Sequence, residues 1–178
     1  MKELKYNRKA AKVVLVIVII LSIVLGCNRS IHSIENDMDS IYTNGSQAYG
    51  KPIQDVAVYT TNGLELYNIA ETYGYATEEF KNGLETLKTK GGSVTAVQEP
   101  LETVKAQAEI VYAAMLTASD VPEYDRDAAI MYMTQMETAL YRLGQNVVYA
   151  EAAEKYNKAI RGILPRLIMP KAQPAVIF

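Results

Sequence analysis

One thiol and one imidazole, Cys27 and His32, stand five residues apart in this 178-residue chain. Nucleophilic catalysis needs a nucleophile, a base and a group that orients the base, gathered in a cleft. The sequence yields no Ser/His/Asp or Cys/His set of that kind, no HExxH pair and no nucleotide loop. Gly91-Gly92 has neither the preceding strand nor the following Lys-Ser/Thr that a phosphate loop requires. His32 finds no second histidine or cysteine to share a metal, and a lone cysteine closes no disulfide within the chain. The densest carboxylate run, Glu123 to Asp127 (EYDRD), lacks the alternating oxygen ligands and loop glycine of a calcium site. It reads as an acidic turn that caps a helix. The residues therefore point to no catalytic, cofactor or metal site and to a protein that is not an enzyme. Cys27 keeps one chemistry: Val24-Leu25-Gly26-Cys27 has the form of a bacterial lipobox, with an atypical Leu25, in which cleavage before the cysteine exposes it for lipidation.

What positions Cys27 is the apolar run Val13–Leu25 (VVLVIVIILSIVL). Thirteen helical residues rise about 20 Å, short of a hydrocarbon core of about 30 Å. Adding Ala10, Ala11, a snorkelling Lys12 and Gly26-Cys27 extends the rise to about 27 Å. The run is thus read as an uncleaved transmembrane helix, with a lipoprotein signal or a cleaved secretory signal as alternatives. Residues 1–12 carry Lys2, Lys5, Arg8, Lys9 and Lys12 against Glu3, a net +4, which leaves −6 for the remainder of a chain totalling −2. Only Arg29 lies within the twenty residues after the run. That asymmetry predicts a single-pass protein with its N-terminus in the cytoplasm and residues 28–178 outside the cell membrane. The acidic remainder shows no basic stripe and no reason to seek nucleic acid.

Beyond the run, apolar positions recur at helical spacing. Ile31, Ile34, Met38 and Ile41 predict a first helix that continues the membrane segment and stops at Thr43-Asn44-Gly45-Ser46. Pro52 suits a first helical turn, and one long helix is expected from Ile53 to Lys90 despite Gly63, Gly74 and Gly83. Leu101, Val104, Ala108, Val111 and Met115 mark a third helix, with Pro100 at or near its start and Asp120-Val121-Pro122 after it. Ala129, Met133, Met136, Leu140, Leu143, Val147 and Ala150 step close to a heptad, then Ala153, Tyr156 and Ile160 continue it, so a fourth helix is expected from Asp127 to Gly162. After Leu164-Pro165 the prolines predict an extended tail. The thirteen tyrosines, twelve of them beyond the run, read as boundary residues with buried rings and wet hydroxyls; a sugar- or peptide-binding face is the other reading. The expected fold is all-α: a transmembrane or signal-anchor helix, then an antiparallel four-helix bundle with long helices. Its parts are a basic leader (1–12), an anchor (13–27), a bundle domain (28–170) and an extended tail (171–178).

Ala153-Glu154-Lys155-Tyr156-Asn157-Lys158-Ala159-Ile160 resembles the A-R-x-x-Y-N-x-A-V signature of the LemA family. The N-terminal apolar run, the long second helix, Pro122 before the last helix and Met169-Pro170 after it fit the same pattern, over roughly residues 28–170. Ala153 stands where the family usually has arginine, and Asn146 where it often has glutamate. Tyr59-Thr60-Thr61-Asn62-Gly63-Leu64 replaces the family's basic R-R-x-D-L-I-P-N-L. The resemblance implies a membrane-attached antiparallel helical bundle and no defined activity. The expected role is a non-enzymatic interaction or scaffold protein of the bacterial envelope, touching the lipid bilayer and envelope protein partners. The alternative is an envelope lipoprotein that binds a carbohydrate or solute, or a carboxylate-based hydrolase, which needs two carboxyl groups about 5–10 Å apart in a cleft.

Overall fold

No proline interrupts residues 8–44, and Gly26 alone weakens the helix there. The computed structural model, which describes residues 8–178, accordingly has one 37-residue helix, α1 (Arg8–Asn44), running from the apolar run into the domain. Lys2, Glu3 and Lys5 of the basic leader lie outside the described residues. Six helices follow: α2 (Pro52–Thr72), α3 (Glu78–Lys90), α4 (Gln98–Thr117), α5 (Glu123–Gly144), α6 (Val147–Ile160) and α7 (Ile163–Ile168). The chain is all-α, with no strand among the described residues.

Two helices expected to be long are each broken in two. Between Ile53 and Lys90 the chain reverses, because Gly74 adopts a φ of +76° that residues with a side chain rarely take. Thr77 then restarts the helix, its side chain accepting from the Phe80 N–H at 3.1 Å, with Glu78 and Glu79 in the first turn. The resulting hairpin is tight. A Cβ on Gly63 would sit 2.6 Å from Leu84 Cδ2 and 3.3 Å from Met136 Cε, so this glycine sets the closeness of α2, α3 and α5. Between Asp127 and Gly162 the break falls at Gln145-Asn146, where the Asn146 side chain accepts from the Tyr149 N–H at 3.0 Å and opens α6. The heptad phase is lost there: Val147 is 51% exposed and Tyr149 takes the buried position. Leu140 is only partly buried, and Ala139 beside it is enclosed. Glu123 and Asp125 sit in the first turn of α5, so the acidic run lies inside the helix and Pro122 is its cap residue.

Two apolar cores result. Helices α2, α3, α4 and α5 enclose the first, around Leu66, Phe80, Leu84, Val104, Val111 and Met136. Helix α2 runs antiparallel to α5: Arg142 Nε donates to Asp55 at 2.7 Å near one end, and the Tyr73 hydroxyl donates to Asp125 near the other. The second core lies between α1 and α6 and holds Ile31, Met38, Tyr42, Tyr149, Tyr156 and Ile160. The chain end closes it. Residues 172–178 take no helical structure, but Pro165–Ile168, expected to belong to an extended tail, lie in α7. Pro165 falls in its first turn, where the missing N–H breaks no helical bond. Leu140 and Phe178 pack against both cores.

Candidate functional site

The apolar stretch of α1 is the first candidate site. Its side chains from Val13 to Ile23 are all exposed, although they are the most hydrophobic in the chain. Within α1 an 18-residue window reaches a mean hydropathy of 2.9, with none of the window buried. The core helix of a water-soluble domain would instead be covered by neighbours. Ser22 is the polar exception, and its hydroxyl donates to the Val18 carbonyl at 2.8 Å. This helix has the length and composition of a membrane anchor or a signal sequence. Cys27 lies one turn beyond it, half-buried with a free thiol, where α1 begins to pack on the rest of the domain.

His32 and Cys27 are not brought into a common site with carboxylates. His32 Nδ1 pairs with Glu35 Oε2 at 3.0 Å on the exposed flank of α1. Among the described residues, no three His, Cys, Asp or Glu side chains gather as a metal site would require. Two tyrosines just after α2 engage carboxylates at and before the start of α5. Asp125 accepts from the Tyr73 hydroxyl, and Asp120 accepts from the Tyr75 hydroxyl at 2.8 Å. These bonds pin the α2–α3 turn to the α4–α5 turn, and the paired carboxylates push both hydroxyls' ionisation above the ordinary range.

The tyrosines divide in a way their spacing does not reveal. Tyr42 and Tyr149 are almost fully enclosed and their hydroxyls meet backbone carbonyls, so the reading of wet hydroxyls fails for those two, whereas Tyr59 and Tyr156 bury their rings at the edges of surface grooves. Tyr42 donates to the Gly91 carbonyl and Tyr149 to the Val176 carbonyl at 2.8 Å. Burial pushes the ionisation of both hydroxyls up. Tyr156 and Asn157, the pair that carries the resemblance, are buried as well. Tyr156 faces α1. Asn157 donates to the Ala175 carbonyl at 2.9 Å and accepts from the Ala175 N–H at 2.7 Å, clamping the chain end. The motif therefore holds structure together at this position. Asn146, equally buried, caps α6 and donates weakly to the Gly50 carbonyl.

Two surface grooves complete the candidates. One, of about 490 Å³, lies between Tyr49 and Tyr141 and is lined by Gln54, Asp55, Arg142 and Gln145. The other, of about 320 Å³, brings Glu109, Glu137 and Lys105 around Tyr59, Met133 and Met136. Neither was visible in the sequence, because each draws on side chains from separate helices far apart in the chain. The described chain thus belongs to the class of all-α proteins with an N-terminal apolar helix of membrane-anchor or signal-sequence character. Comparison with protein-family models, curated proteins and solved structures finds no match for it.

Proposed function

We propose that this is a membrane-anchored, LemA-like helical-bundle protein of the bacterial cell envelope, acting as a non-enzymatic interaction or scaffold module. The observation that carries the reading is the continuity of α1. A single helix leaves the apolar stretch and, without a linker, buries Ile31, Met38 and Tyr42 in the domain's second core. An anchor joined this way holds the bundle at a set orientation to the bilayer, which suits a module that presents its surfaces to envelope partners. The N-terminus is cytoplasmic and the domain extracytoplasmic, on the charge asymmetry across the apolar run.

The test is crosslinking in the native membrane followed by co-purification. Recovery of one defined envelope complex supports the scaffold role; recovery of the chain alone under efficient crosslinking would count against it. Protease added to intact spheroplasts checks orientation, and a domain left uncut while other exterior proteins are cleaved would reverse it. Cys27→Ser separates the two anchors. Loss of labelled palmitate together with a mass that lacks residues 1–26 in the parent chain identifies the lipoprotein. The second functional reading, an envelope solute- or carbohydrate-binding protein, draws on the Tyr49–Tyr141 groove, whose aromatic and amide lining suits a sugar. Glycan binding that disappears in Tyr141→Ala would favour it.

A further inference from the structure

Helices α1 and α6 run antiparallel in step. The Tyr42 and Tyr149 rings lie 5.8 Å apart, and one groove holds both Glu35 and Tyr156, each seven residues further along. Continuing the register brings Ile160 to the level of Ile31, with which it shares the second core; the chain then turns at Arg161-Gly162 into α7, and Met169 and Ala172 beyond it are back in the groove with Glu35 and Tyr156. Helix α7 indeed packs on α1. The short helix therefore sits at the end of α6 that lies nearest the apolar stretch of α1.

Its outward face is unusual for a water-exposed element. Pro165 is buried and Ile168 partly so, facing the domain, while Ile163 is 83% exposed, Leu167 74% exposed and Leu164 also open. Those three residues fall on one helical face. Around them the charge changes sign. Residues 28–154 hold eight cations against nineteen carboxylates, whereas residues 155–178 hold five cations and no carboxylate. All five, Lys155, Lys158, Arg161, Arg166 and Lys171, are exposed, and Lys158 pairs with Glu154. An apolar face ringed by cations, on the side of the domain nearest the apolar stretch of α1, matches the boundary between acyl chains and anionic headgroups.

We propose that α7 is a second membrane contact, an interfacial foot that inserts Ile163, Leu164 and Leu167 into the bilayer beside α1 and sets Arg161 and Arg166 on anionic phospholipid. The foot rests on the anchor reading in its transmembrane form. A second attachment point would add to the hold of the continuous α1 by resisting rotation of the bundle about the α1 axis.

The test uses the full chain with Cys27→Ser, carrying one of Ile20→Cys, Leu167→Cys or Asn44→Cys, each bearing a polarity-sensitive dye. The chains are reconstituted in phosphatidylcholine–phosphatidylglycerol vesicles whose acyl chains carry spin-label quenchers. Asn44 lies about 25 Å beyond Cys27 along α1 and serves as the distant control. The expected result is that the labels at 20 and 167 lose most of their fluorescence and the label at 44 keeps it. A bright label at 167 beside a quenched one at 20 would overturn the foot, leave the anchor standing and give the α7 face to a protein partner. Bright labels at both would remove the anchor and the foot together. Omitting phosphatidylglycerol should relieve quenching at 167 and not at 20; equal quenching in phosphatidylcholine alone would refute the part given to the arginines.

Discussion

The two cores of the domain are built from different chemistry. The one inside α2–α5 is dominated by aliphatic and methionine side chains, held by burial and by the close approach that Gly63 permits. The one between α1 and α6 is laced with directional bonds: Tyr42 to Gly91, Tyr149 to Val176, and Asn157 twice to Ala175. Burial is non-directional and tolerates repacking, whereas a buried hydrogen bond specifies which backbone group lies opposite. The difference follows from what each core must hold. Four helices interlock by side-chain shape, but an extended chain end and the Gly91 turn have no apolar face of their own and are located by their carbonyls and N–H groups.

That contrast can be broken most severely in the first core. Met136→Asp places an unpaired charge among enclosed apolar groups at a cost of about 4 kcal/mol or more, enough to unfold the domain. Circular dichroism melting of the detergent-solubilised chain checks it, and a parent-like melt would refute this account of the core. Leu140→Asp should cost clearly less, because that side chain is partly open at the joint between the cores.

In the second core, Asn157→Ala removes both bonds to Ala175 and strands a buried N–H and carbonyl, a loss of about 2–4 kcal/mol. Its particular signature is release of the chain end, read as faster carboxypeptidase trimming while the helical signal at low temperature persists. Unchanged trimming would show that Val176 burial alone retains the tail.

Returning to the first core, Gly63→Val drives a branched side chain against Leu84 and Met136 and costs about 1–3 kcal/mol. Equal or higher stability, measured by urea titration, would mean that the α2–α3 contact gives way easily.

The smallest effect distinguishes the cores by pH. Burial pushes the hydroxyls of Tyr42 and Tyr149 up, with neighbouring Tyr42 and Asp39 adding to the shift of Tyr149. A raised ionisation means the folded chain keeps protons that the unfolded chain releases from about pH 10. The stabilisation is therefore whole below that pH and is lost as pH rises beyond it. Tyr149→Phe should cost about 1 kcal/mol at neutral pH through the missing bond to Val176 and make the alkaline decline shallower. An alkaline profile identical to the parent's would remove Tyr149 from that account.

The sequence by itself determined that the chain is helical and where its apolar helix lies. Side-chain periodicity and an unbroken hydrophobic run are local properties, and the buried series Leu101, Val104, Ala108, Val111 and Met115 on α4 repeats its spacing directly. The helix breaks were partly legible: Gly74 followed by Thr77 with Glu78 and Glu79 is a stop and a restart, and Asn146 is a capping residue. The apolar spacing nevertheless runs through both and masks them. Tertiary structure alone decided that Tyr42 and Tyr149 are enclosed, that Asn157 clamps Ala175, and that α7 packs on α1. Each of these depends on groups brought together across the chain, and a hydrogen-bond partner or a neighbour that covers a ring leaves no mark on the residue that meets it.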